Sequence, residues 1–311
     1  MGKAGLEIES LIRRLLILIA ALMSGPLLAK SGTLVIVGGG LSPDNAEIYR
    51  AFIDEAKGGT IAIIPSASGE AQASLDAFAA NLVRHGVDRA RIIDIHLAEI
   101  DDPETTVDEA SWAANAGNAD EIATIENASA IWFTGGDQAR TIRLLLTENG
   151  KDTPMLAAIR KRLAAGAVIG GTSAGAAIMG TGLIVCGDPR RASNAISSDP
   201  ADCAAREGEP EPLVLGRGLG FLTGHVIDQH FSERSRLPRL LRATACGAGQ
   251  GIGIDEDTAL IVDLAARRAT VVGNGKVTVV ERPLPRGDCA VNFGMIDLGL
   301  HRSGYSFDLR Q

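Results

Sequence analysis

Aromatic residues are scarce: the 311-residue chain has two Trp and two Tyr, and they are scattered. Without clustered rings there is no stacking platform for single-stranded nucleic acid. Positive charge is also short, with 30 Lys and Arg against 38 Asp and Glu and a formal net charge of -8. That balance excludes the basic footprint of a nucleic-acid binder. Four Cys and five His form neither Cys-x-x-Cys nor His-Glu-x-x-His, so no metal and no other cofactor is expected. The main apolar run, Leu15 to Met23, falls short of the roughly 20 residues that span a bilayer, so no stable membrane anchor is expected. Two glycine-rich stretches fail the nucleotide tests. Pro43 occupies the third glycine's place after Gly38-Gly-Gly40, and no Lys-Ser/Thr pair follows Gly170 to Gly175. There is no internal repeat and no low-complexity tract.

What is present is apolar mass. At 46% hydrophobic and 22% charged, the chain can bury a sizeable core. Lys3, Arg13 and Arg14 precede the apolar run, and Gly25, Pro26 and Ala29 follow it, the layout of a secretory signal peptide. We expect residues 1–29 to be that signal and residues 30–311 to form a single α/β domain, periplasmic or extracellular. An exported chain could oxidise Cys186, Cys203, Cys246 and Cys289. Pairing of Cys186 with Cys203 would staple the irregular stretch 187–220; four buried thiols are the alternative, and spacing does not decide.

Strand and helix patterns alternate through the body. Thr33 to Val37, Thr60 to Ile64, Arg91 to Ile95, Ala130 to Thr134 and Ala167 to Ile169 read as strands, with helices over Ala71 to Arg84, Ala119 to Ile125, Gln138 to Leu146 and Pro154 to Ala165 between them. Such alternation predicts a mostly parallel sheet with helices on both faces. Gly38-Gly-Gly40 closes the first strand as a turn bordering the active site. Near the end, Ala259 to Asp263, Ala269 to Val272 and Lys276 to Val280 suggest an antiparallel ribbon at one sheet edge.

Within this alternation one segment carries chemistry. Gly171-x-Ser173-x-Gly175 fits the nucleophile elbow, in which a strand, a sharp turn and a helix (here Ala174 to Met179) leave the serine oxygen exposed above the sheet. Free amides at the start of that helix would face developing negative charge. The motif alone is common by chance, so Ser173 needs partners. His230 and the acidic run Asp255-Glu256-Asp257 each follow a short apolar strand, where catalytic groups of α/β sheets collect. Any of the three carboxylates could orient the histidine. The order Ser, His, acid differs from that of α/β-hydrolases.

Four stretches now combine: Phe133 to Gln138, Gly170 to Ala176, Asp228 to Arg234 and Gly251 to Ala259. Together they resemble the cyanophycinases, serine peptidases related to aspartyl dipeptidases. The resemblance implies a class I glutamine-amidotransferase-like, flavodoxin-like sandwich and a Ser173-His230-Glu256 triad, with Glu256 selected from the acidic run. It implies an oxyanion hole made by the Gly136 and Ala174 amides. It further implies substrate contacts from Gln138, Asp228, Gln229, Arg234, Arg236 and Arg239. The substrate would be a peptide, and specifically cyanophycin, a poly-aspartate backbone with arginine on each side-chain carboxyl; a homodimer is left open. Gln138 has an alternative as a helix N-terminal cap partner. On a helix from Ser232 to Ala245, Arg236 and Arg239 would share a face, with Arg234 further round, to hold substrate carboxylates while Asp228 attracts a guanidinium. A solvated basic face is the plainer explanation. Ser235 and Pro238 depart from the family pattern. Rival functions are an aspartyl dipeptidase or another peptidase of the same fold, and, from a different class, a non-catalytic binding protein.

Overall fold

Alternation along β1 (Thr33–Val37) sets the layering. Val35 and Val37 pack with Ile48, Phe52, Leu75 and Phe78 of the helices α1 (Ala46–Glu55) and α2 (Ala71–Arg84). Leu34 and Ile36 face the other way, into a core shared with Leu156, Ile159, Ile227, Ile252 and Val277. The computed structural model describes residues 31–189, 196–203, 212–280, 289 and 296–309; the expected signal segment lies outside the described residues.

In chain order the next strands are β2 (Ile61–Ile64), β3 (Ile92–Asp94), β4 (Ala130–Phe133) and β5 (Val168–Thr172), with α3 (Ala119–Asn127), α4 (Gln138–Leu145) and α5 (Pro154–Ala164) among them. Side-chain caps fix several of these helix starts: Asn45, Asn118, Asp137 and Thr153 each accept from an amide of the first turn. The second half contributes α6 (Ala174–Ala177), β6 (Gly180–Cys186), β7 (Ile196–Ser197), β8 (Leu213–Arg217), β9 (Leu222–Asp228), α7 (Leu237–Ala245) and β10 (Gln250–Ile254). The chain ends with β11 (Thr258–Asp263), β12 (Arg268–Gly273), β13 (Lys276–Val280), β14 (Leu298–Arg302) and β15 (Ser306–Asp308).

These strands form two sheets. The eight-stranded one has the order β15-β12-β11-β1-β5-β4-β2-β3, parallel from β1 to β3 and antiparallel beyond β1. The seven-stranded one has the order β14-β13-β10-β9-β6-β8-β7, with α7 packed on its far side against Ile184, Val226 and Val280. The α/β sandwich read from the sequence is therefore present, with part of one helical layer replaced by a second sheet. The expected three-stranded ribbon is corrected here: β11 and β12 pair beside β1, whereas β13 leaves them for β10. Alternation told which faces were buried but not against which sheet.

Candidate active site

β5 lies between β1 and β4, at the middle of the larger sheet, and its last residue feeds Ser173. Ser173 has φ 53° and ψ -114°, a conformation rare for a residue with a side chain and one that the surrounding structure must enforce. Its amide donates to the Val37 carbonyl at 3.0 Å. Close approach explains the flanking glycines: a Cβ on Gly171 would lie 2.5 Å from the Gly175 oxygen, and one on Gly175 2.4 Å from the Phe133 oxygen. The helix behind the serine is shorter than expected. α6 spans Ala174–Ala177, and β6 starts at Gly180, so the expected run to Met179 is cut to one turn. The Ala174 amide remains its first helical donor, with no acceptor inside the helix.

His230 follows β9 of the smaller sheet and has φ 47°. Its Nε2 lies 2.8 Å from Ser173 Oγ and its Nδ1 2.6 Å from Glu256 Oε1. A carboxylate only accepts, so Nδ1 carries the proton and Nε2 is left to accept from the serine hydroxyl. The other two acids face elsewhere. Asp255 accepts from the Ser232 and Lys276 amides, and Asp257 from the Ser42 amide and the Asn45 side chain.

The turn after β1 joins these parts. The Gly38 carbonyl accepts from His230 N at 2.6 Å, the Gly39 carbonyl accepts from Asp257 N at 2.8 Å, and Gly38 N donates to Thr258. With Val37 holding Ser173, one turn contacts the loops of nucleophile, base and acid. Gly39 has φ 101°, and a Cβ there would sit 2.3 Å from His230 Cε1. A turn bordering the site was readable from the three glycines; its grip on all three loops was not.

Burial holds His230 below the ordinary imidazole range, Glu256 pulling upward through its hydrogen bond and the Arg234 charge adding to the depression. The ring is therefore neutral near pH 7 and able to take the serine proton. The acid is less enclosed, its side chain 38% exposed against 10% for the histidine.

Beside Ser173 opens a cavity of about 880 Å³, lined by Gly136, Gln138, Gln229 and three arginines among others. The arginines do not form the expected helical face. Residues 231–235 are a turn and α7 begins only at Leu237, with Arg236 as its N-cap, because Pro238 suits the first turn of a helix and not its interior. Arg234 is exposed on the turn. Arg239 is buried, and its fork closes on Asp228, Nε to Oδ2 at 2.7 Å and Nη2 to Oδ1 at 2.5 Å, while Nη1 donates to the Gly187 carbonyl. Asp228 is 0% exposed, so it anchors arginines and does not reach a substrate guanidinium, which corrects the expectation. Arg236 donates to the Gln229 carbonyl at 2.6 Å, and its Nε has no partner. Burial, followed by repulsion from Arg239, pulls its guanidinium down to about 10. Gln138 is not the cap of α4, a role filled by Asp137; its side-chain nitrogen donates to the Ile184 and Val185 carbonyls and ties the end of β6 to the site.

Sequence comparison decides the lineage. The family model for peptidase family S51 matches residues 34–266. The chain belongs to peptidase family S51. It is 34% identical over 257 residues to a cyanophycinase of Geminocystis herdmanii, covering 81% of each chain. It is 32% identical over 267 residues to a cyanophycinase of Thermosynechococcus vestitus, covering 85% of this chain and 71% of that one. The crystal structure of a peptidase from an acI-B1 Actinobacterium superposes with a TM-score of 0.61 at 20% identity, over 90% of this chain and 98% of that one, which places both in one fold. As an S51 member the protein is a serine-type peptidase.

The stretch 187–220 of this S51 peptidase is less irregular than expected, since it contributes β7 and β8 to the smaller sheet, and its start borders the cavity: Gly187, Asp188 and Pro189 line it. Cys186 is bonded to Cys203, with Cα atoms 5.8 Å apart, closing that stretch at its base. A second disulfide, Cys246 to Cys289, joins the end of α7 to the segment after β13. Among the described residues no cluster suited to a metal ion is found, and no helix is long and apolar enough to cross a membrane. Nothing along the chain pointed to a smaller cavity that also includes Ser173, walled by Tyr49, Phe78 and Trp132. Those rings lie on separate elements and only the fold brings them together.

Proposed function

We propose that this protein is an exported serine exopeptidase that hydrolyses cyanophycin to β-aspartyl-arginine dipeptides. The observation that carries the reading is the hydrogen-bonded line Ser173-His230-Glu256, at 2.8 and 2.6 Å, in a chain about a third identical to cyanophycinases. Ser173 Oγ attacks the scissile carbonyl while His230 Nε2 takes its proton. Glu256 steadies the imidazolium, and the Gly136 and Ala174 amides meet the oxyanion. The proton then passes to the departing nitrogen, and water repeats the sequence to release the acyl group.

Around the acyl side, Arg234 and Arg236 supply positive charge for substrate carboxylates, and a planar guanidinium suits that task by offering two parallel donors. Arg239 and Asp228 act behind them as support. Two disulfides in one chain favour an oxidising compartment, in keeping with the signal-like N-terminus. Release of β-aspartyl-arginine from purified cyanophycin tests the activity. Equal turnover of casein and cyanophycin would overturn the substrate assignment. A native protein that retains Met1 in the cytoplasm would overturn export.

A further inference from the structure

The two disulfides stand differently to the active site. Cys186 ends β6 and lines the large cavity beside Ser173, followed along the same wall by Gly187, Asp188 and Pro189. Cys246 and Cys289 line neither of the cavities that include Ser173. From the first disulfide a continuous set of contacts runs to the arginines. The Gly187 carbonyl accepts from Arg239 Nη1 at 2.9 Å, Arg239 closes on Asp228, and Asp228 Oδ1 lies 3.5 Å from Arg236 Nη1. Resting on the reading of an exported peptidase above, we infer that the bond between Cys186 and Cys203 sets the substrate affinity of the large cavity. The enzyme binds its polymer tightly only once this bond has formed.

The bond matters because the wall is held unevenly. Up to Val185 the backbone is fixed: Gln138 donates to the Ile184 and Val185 carbonyls, and β6 pairs with β8 as far as Cys186 and Val214. Beyond Cys186 the next strand among the described residues is β7, two residues long and at the edge of its sheet. So short an edge strand opens at low cost. Cys203, 17 positions after Cys186, packs with it against Leu183, Val185 and Val214, so the disulfide clamps both ends of the wall-bearing stretch to the sheet. A wall already in place adds no ordering cost to binding, whereas a loose one must be ordered by the substrate. Cytosolic thiols keep such pairs reduced, and an oxidising compartment closes them. Export then turns a weak binder into a tight one. The triad itself, gripped by the Gly38-Gly39-Gly40 turn, does not depend on the bond.

Cys203→Ser and Cys289→Ser each remove one disulfide, and a soluble β-aspartyl-arginine oligomer reads substrate affinity. Diisopropyl fluorophosphate reads the triad alone, since Ser173 Oγ displaces its fluoride and the reagent is too small to need the cavity wall. Cys203→Ser should raise KM for the oligomer about tenfold with kcat within about twofold, and should keep the wild-type rate of Ser173 labelling. Cys289→Ser should keep the wild-type KM. Cys186 and Cys203 are half-buried, within reach of dithiothreitol, which opens the bond by exchange and leaves two protein thiols and its own cyclic disulfide. Wild-type enzyme so treated should match Cys203→Ser in KM and recover once glutathione disulfide restores the bond. An unchanged KM in Cys203→Ser, an equal rise in Cys289→Ser, or labelling that falls in step with turnover would overturn the inference. A wild-type enzyme that is labelled at Ser173 but leaves the oligomer intact would overturn the substrate reading, and this inference with it.

Discussion

The nucleophile and its two partners come from different halves of the molecule and are built in different ways. Ser173 stands at the end of a central strand of the larger sheet, and its exposure follows from one contiguous stretch of chain. His230 stands beyond β9 of the smaller sheet, and Glu256 sits where the chain crosses from β10 of one sheet to β11 of the other. Local sequence makes the first; packing of the sheets makes the second. The Gly38-Gly39-Gly40 turn is where the two halves are held in register, and experiments on that seam separate local from assembled contributions.

The largest effect is expected where both halves converge on one atom. Ser173→Ala and His230→Ala should each lower kcat by about a thousandfold or more, since members of a triad act as a unit. Folding, followed by circular dichroism, should persist. A Ser173→Ala enzyme with substantial turnover would break the comparison at its root.

Next comes the seam. Gly39→Ala adds a Cβ that would meet the His230 ring and a φ that alanine resists, so kcat should fall about a hundredfold with little change in KM. Near-normal kcat would show that the turn does not position the histidine.

The arginine cluster offers a sharper split between support and contact. Removing one partner of a buried ion pair leaves the other charge unpaired, so Arg239→Ala should cost about 3–5 kcal/mol of stability in denaturant unfolding. Arg234→Ala, on the exposed turn, should leave stability within about 0.5 kcal/mol and raise KM. Identical stability of the two variants would contradict the buried pair.

The smallest effect is in pH. Because His230 is held below the usual imidazole range, kcat/KM should stay level through neutral pH and fall only as the ring protonates below it. Glu256→Gln removes the influence that raises this pKa, so the acid limb should move lower still, with a smaller rate loss than Ser173→Ala. Stability follows the same sign: below about 6.5 the unfolded histidine takes a proton that the folded one resists, so this residue's contribution is present above that pH and lost below it. An acid limb above pH 7 would contradict the burial of the ring.

Much of the larger sheet was legible because it is local. α2 runs from Ala71 to Arg84 as its pattern indicates, and the strand-turn-helix around Ser173 is contiguous. Periodicity and turn chemistry depend on near neighbours, so the sequence by itself determined the α/β alternation, the elbow and the small set of partners for its serine. The family resemblance singled out Glu256 from Asp255, Glu256 and Asp257, but the residues themselves left the choice to the tertiary structure, where Glu256 meets the His230 ring while Asp255 and Asp257 accept from amides far away in the chain. The tertiary structure alone sent β13 to the smaller sheet, closed Arg239 on Asp228, and brought an aromatic-walled cavity and an arginine-lined one together at the nucleophile. The physical reason is common to all of these. Burial pattern is written along the chain, but the identity of what each buried group meets depends on contacts made across it.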